Sequence, residues 1–118
     1  MKLKGEGLLV RIFVGDSDRW DGAPLYEAVV QCAREKGLAG ATVVRGIEGY
    51  GAHNLIHTAR IQRLSEDLPI VIEIVDSREK IEAFLPELDA MILEGLVTLE
   101  PVQVILYRAR DPREAHTH

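Results

Sequence analysis

Two blocks of strand, amphipathic helix and strand succeed one another in this chain, separated by about twenty residues that follow neither period, and that order leaves few folds open. In the first block Leu8 to Val14 reads LLVRIFV, rich in β-branched and aromatic residues, and is closed by the turn cluster Gly15-Asp16-Ser17-Asp18. From Pro24 onward, Leu25, Ala28, Val29, Cys32 and Ala33 recur at i, i+3, i+4, i+7 and i+8, one stripe of a helix. Pro24 suits its first turn and Gly37 stands just past its end. Ala41 to Ile47 (ATVVRGI) is the second strand and runs into glycines at 46, 49 and 51.

The interval Glu48 to Leu68 is longer than a compact domain normally leaves unstructured, which points to a functional loop. Pro69 ends it, and Ile70 to Val75 (IVIEIV) is the third strand. Asp76 followed by Glu79 resembles a capping box that opens a second helix, whose stripe of Ile81, Phe84, Leu85, Leu88, Met91 and Ile92 lasts to Gly95. The last strand is expected at Val102 to Arg108, with a start as early as Val97. Residues 1–108 then form one domain and 109–118 a polar tail.

A βαβ unit made twice at this length predicts an α+β, ferredoxin-like βαββαβ fold: a four-stranded antiparallel sheet, two helices on one face, and a long loop between strands 2 and 3. Side chains alternate across a strand, so the strands sort into two faces. Leu8, Val10, Ile12, Val14, Ala41, Val43, Ile70, Ile72, Ile74, Val102, Val104 and Leu106 form one face, polar only at Arg45, which must lie beneath the helices. The other carries Leu9, Phe13, Val44, Val71, Val75, Ile105 and Tyr107 around Arg11 and Glu73, and no helix remains to cover it. That bare face predicts self-association, with Arg11 and Glu73 paired to each other or across subunits.

Nineteen acidic against fourteen basic residues give a net charge of -5, so no nucleic-acid footprint spans the chain. A lone cysteine, Cys32, excludes an internal disulfide and fits a reducing compartment, here the cytoplasm. No apolar run reaches the roughly 18 residues of a membrane span, so no direct membrane insertion is expected.

Three stretches carry a family resemblance: RIFVGDSDRWDGAPLYEAVV (11–30), GLAGATVVRGIEGYGAHNLIHTARI (37–61) and LSEDLPIVIEIVDS (64–77). Over residues 3–108 the chain resembles the uncharacterised PII-like proteins, small trimers related to the PII nitrogen-signalling proteins. Gly49-Tyr50-Gly51 is similar to the Gly-Phe-Gly with which PII enters its effector loop, and Leu68-Pro69 to that loop's end. Arg108 and Arg110 stand where two PII arginines reach nucleotide phosphates. The resemblance implies a homotrimer, an adenine nucleotide in the cleft between subunits, and a loop that grips or releases a target, a membrane transporter or channel or a metabolic enzyme. Two departures matter. The lysine that PII places after the loop's proline is Ile70, and the glycine- and lysine-rich turn after the second helix is only Glu94-Gly95-Leu96-Val97-Thr98. Losing two charge-assisted phosphate partners weakens a triphosphate cradle most, so AMP or ADP is expected over ATP, with another anionic ligand as the alternative.

The nucleotide reading therefore rests on Arg45, Gly46, Gly49, Gly51, His57, Thr58, Arg60, Arg108 and Arg110. The glycines permit close backbone approach, the arginines offer bidentate phosphate contacts, and His57 offers stacking or a hydrogen bond. The bland alternative is a flexible turn with solvated charges. His53 and His57 share a metal only if their segment is helical, and Asp16, Asp18 and Asp21 lack calcium-loop spacing, so capping and solvated roles suit them better. Trp20 reads as a lid over the helix end and Cys32 as a small core residue. No catalytic motif is present, and a regulatory protein is expected before an enzyme. Two other readings share the architecture: a metal-linked trimer resembling the divalent-cation-tolerance (CutA) family, and a small acylphosphatase-like phosphatase, against which the acidic Gly15–Asp18 loop argues.

Overall fold

The computed structural model describes residues 5–49, 57–58 and 68–110, the pair 57–58 by backbone only. Eight strands and two helices are described: β1 (Gly5–Gly15), β2 (Arg19–Trp20), β3 (Ala23–Pro24), α1 (Leu25–Glu35), β4 (Thr42–Arg45), β5 (Glu48–Gly49), β6 (His57–Thr58), β7 (Pro69–Asp76), α2 (Arg78–Met91) and β8 (Leu96–Val104). The main sheet runs β4-β7-β1-β8, every neighbouring pair antiparallel, which is the ferredoxin-like order.

The helix side of the two central strands holds the core. Leu8, Val10, Ile12 and Val14 of β1 and Ile70, Ile72 and Ile74 of β7 are buried against Leu25, Val29 and Ala33 of α1 and Ile81, Phe84, Leu88 and Met91 of α2. The α1 terminus closes as a Schellman motif: Gly37, at φ +79°, donates to Arg34 O (3.1 Å), and Leu38 to Ala33 O (3.1 Å). The Asp21-Gly22 hairpin between β2 and β3 has both residues at positive φ, as a type I′ turn requires. Trp20 of β2 and Tyr26 of α1 are partly buried and pack against the core edge.

Three expectations need correction. The second helix is capped by Ser77, whose Oγ accepts from Lys80 N (3.3 Å), and not by Asp76. Asp76 is instead almost wholly buried, accepting from Ser77 N (2.7 Å) and Ala39 N (2.9 Å). The last strand lies at Leu96–Val104, ending before Arg108, and its faces are reversed. Pairing of Ile12 with Val97, Val10 with Leu99 and Leu8 with Pro101 puts Val97, Leu99 and Pro101 on the helix side. Val102 and Val104 therefore share the open face with Leu9, Arg11 and Phe13. Pro101 is tolerated because β8 is an edge strand, where a missing N–H need not break a ladder. Cys32 is also only partly buried, packed beside the core and not within it.

On the open face Arg11 Nε donates to Glu73 Oε2 at 2.7 Å, with Glu100 a further 3.9 Å contact, so the expected pair forms within one chain. Leu9, Phe13, Val71 and Val75 are half-covered around it, and Val44 and Leu96 are exposed. No element among the described residues lies over this face.

Candidate nucleotide site at the loop stem

The stem of the long loop is built at the sheet end where β4 finishes and β7 begins. Gly46 N donates to Pro69 O at 2.7 Å, which ties the outgoing stem to the returning one. A Cβ on Gly46 would meet Pro69 Cγ at 2.8 Å and one on Gly49 the same atom at 3.0 Å, so both glycines are needed for the close approach. The short ladder β5–β6 continues the stem, pairing Glu48 with Thr58 and Gly49 with His57.

The first turn docks on this stem. Asp16 N donates to Leu68 O at 2.8 Å, and Arg45 Nη2 donates to Asp16 Oδ1 at 3.0 Å. The turn itself is locked, since Gly15 N donates to Asp18 Oδ2 (2.8 Å) and Leu25 N to Asp18 O (2.8 Å). Asp16 thus touches both stems, one through its backbone and one through its side chain. Arg45 is half-exposed, and its pKa is raised by its hydrogen bond and charge interaction with Asp16, so it stays cationic. The three carboxylates of this region do not converge: Asp16 faces Arg45, Asp18 caps the turn, and Asp21 is exposed at the hairpin.

Among the expected site residues, Arg45, Gly46 and Gly49 gather at this end with the backbone of His57 and Thr58. Gly51 and Arg60 lie outside the described residues, as do Tyr50 and His53. Arg108 and Arg110 are exposed and leave from the opposite end of the sheet. They follow Tyr107, whose hydroxyl donates to Ala39 O at 3.5 Å, beside the buried Asp76. That end is separated from Arg45 by about 20 Å of strand. A single chain therefore does not bring the two arginine groups together.

Two contacts carry no signal in the sequence. Asp16, by sequence a capping or solvated residue, is the partner of Arg45, 29 positions away, a distance at which no local spacing signals a pair. Tyr107, by alternation a sheet-face residue, anchors the segment that carries Arg108. Elsewhere, a shallow hollow of about 580 Å³ opens between α1 and β4, lined by Ala23, Tyr26, Val30 and Val43 among others. Cys32 Sγ lies 3.9 Å from Glu87 Oε1, and burial, then Glu87, raise its pKa, which disfavours the reactive thiolate near neutral pH.

Among the described residues no helix is long and apolar enough to cross a membrane. In fold the chain is similar to a nitrogen regulatory PII-like protein, CPII from Thiomonas intermedia K12, described as bound to ADP, AMP and bicarbonate; the TM-score is 0.58 at 20% identity, over 84% of this chain and 88% of that one. It is likewise similar to a GlnK–ATP complex from B. subtilis, with a TM-score of 0.56 at 13% identity over 86% and 85% of the two chains. In sequence it is 43% identical over 97 residues to a UPF0166 protein of Aquifex aeolicus, covering 82% of this chain and 91% of the relative. A UPF0166 protein of Methanocaldococcus jannaschii is 34% identical over 97 residues, 81% and 89% of the two chains. Residues 7–104 match the family DUF190, described as uncharacterized ACR, and with that match and these relatives the chain belongs to the DUF190 (UPF0166) family.

Proposed function

We propose that the protein is a PII-like regulatory protein and not an enzyme: a homotrimer that binds an adenine nucleotide, AMP or ADP before ATP, in clefts between subunits. In this reading the loop from Gly46 to Leu68 reports the binding state to a target, a transporter or channel or a metabolic enzyme. The observation that carries it is the separation of Arg45 from Arg108 and Arg110 at opposite ends of one sheet. A phosphate site that uses both groups needs a second copy, and the uncovered face around Arg11, Val71 and Phe13 supplies a reason for copies to associate. The adenine nucleotides named with the PII-like structural neighbours support the ligand class.

The roles divide by chemistry. Arg45, Arg60, Arg108 and Arg110 would hold phosphate oxygens through paired N–H bonds. Gly46, Gly49 and Gly51 would let backbone approach the ligand, with His57 and Thr58 beside the base or ribose. Binding would shift the loop between conformations that a target distinguishes. The test is calorimetry of the full chain with AMP, ADP, ATP and cyclic dinucleotides, repeated with Arg108→Ala. Saturable heat with AMP or ADP that the variant loses supports the reading; silence with every nucleotide overturns it.

A further inference from the structure

The Arg45 guanidinium is the one cation that the loop stem offers among the described residues, and it is already engaged. Its Nη2 lies 3.0 Å from Asp16 Oδ1, and the two partners differ in freedom: the Arg45 side chain is 50% exposed, that of Asp16 only 17%. Asp16 is also held by its backbone, with its N–H on Leu68 O at 2.8 Å. The preceding glycine is fixed in turn, Gly15 N on Asp18 Oδ2 at 2.8 Å and Gly15 O accepting from Asp18 N at 3.2 Å. An anion arriving at Arg45 can therefore turn the arginine toward itself, but it leaves the carboxylate where it is, a few ångströms away.

We propose that Asp16 is a specificity-determining residue: its fixed negative charge beside Arg45 selects against anionic ligands of higher charge, so that each added phosphate is less welcome. This rests on the nucleotide reading above and deepens it. The selection is electrostatic, because every phosphate placed near Arg45 also meets the Asp16 carboxylate, and repulsion grows with ligand charge. It is independent of the missing lysines, which remove attraction; Asp16 adds repulsion, the second way a site discriminates.

The experiment is a calorimetric ladder of AMP, ADP and ATP at fixed ionic strength on the full wild-type chain and on Asp16→Asn, which keeps an oxygen to accept from Arg45 and removes the charge. At the exposed end of the sheet, one charge a few ångströms from the ligand predicts affinity for AMP rising about threefold and for ATP about tenfold, so the preference flattens by about threefold. Circular dichroism melts check folding, and Asp16→Ser provides a second neutral side chain if the asparagine variant does not fold. An unchanged ratio of ATP to AMP affinity in a folded variant overturns the role of Asp16 while leaving nucleotide binding intact. Nucleotide binding by the variant but not by the wild type supports the electrostatic role and removes nucleotides as the native ligand. Silence in both overturns both.

Discussion

Asp76→Ala is expected to be among the most damaging single substitutions outside the apolar core. The side chain is 1% exposed and accepts two backbone N–H groups, Ser77 N at 2.7 Å and Ala39 N at 2.9 Å. Alanine leaves both N–H donors without their acceptor. Hydrogen bonds to a charged acceptor contribute about 1.5–3 kcal/mol each, so the loss is about 3–6 kcal/mol, a large share of the roughly 5–15 kcal/mol that holds a domain together. Asp76→Asn keeps one accepting oxygen and turns an NH2 toward the other donor, which predicts a loss near the upper part of the same range and no rescue. The consequence reaches the proposed site, because Ala39, tied by Asp76, accepts from Tyr107 and so anchors the segment bearing Arg108. The assay is urea unfolding followed by circular dichroism and Trp20 fluorescence at one fixed protomer concentration, since association would otherwise shift the midpoint. A loss below about 1 kcal/mol would refute the assignment of Asp76 as a buried, charge-assisted tie.

Other substitutions and conditions follow from the packing. Phe84→Ala, at 1% exposure in the core between α2 and the sheet, should cost about 3–5 kcal/mol in the same urea assay. Gly95→Ala should destabilise markedly, because its φ is +153° and a Cβ would stand 2.6 Å from Phe13 O; an unshifted melting temperature would show that the β8 entry relaxes freely. Cys32 should react slowly with a thiol reagent near neutral pH, since burial and Glu87 push its pKa up. The sign for stability follows: the folded chain favours the protonated thiol, so its contribution is complete below the ordinary thiol value and fades as pH rises through the raised one, while Cys32→Ser removes that alkaline dependence.

The sheet was legible in the sequence wherever alternation was strict. IVIEIV places Ile70, Ile72 and Ile74 on one face without ambiguity, and LLVRIFV does the same for Val10 and Ile12, so the buried side and the cross-strand pair Arg11–Glu73 could both be read in advance. The last strand was not legible, because in LVTLEPVQV the apolar residues fall on both parities and the run ILY that follows extends the pattern past its true end. Its register comes from pairing with β1, a long-range fact, and Pro101 reads as a breaker until the strand is known to be an edge. Asp76 and Ser77 both satisfy the local rules for a helix cap, and burial decides between them. At the candidate site the glycines and arginines stood out by type, whereas the Asp16–Arg45 contact joins a turn to a strand end and carries no spacing signal.

Native mass spectrometry of the full chain with ADP distinguishes a nucleotide site shared between subunits from one built within a single chain. The shared site predicts a trimer that takes up as many as three nucleotides and loses them with Arg108→Ala, whereas a monomer binding ADP alone, or a trimer binding none, would contradict it.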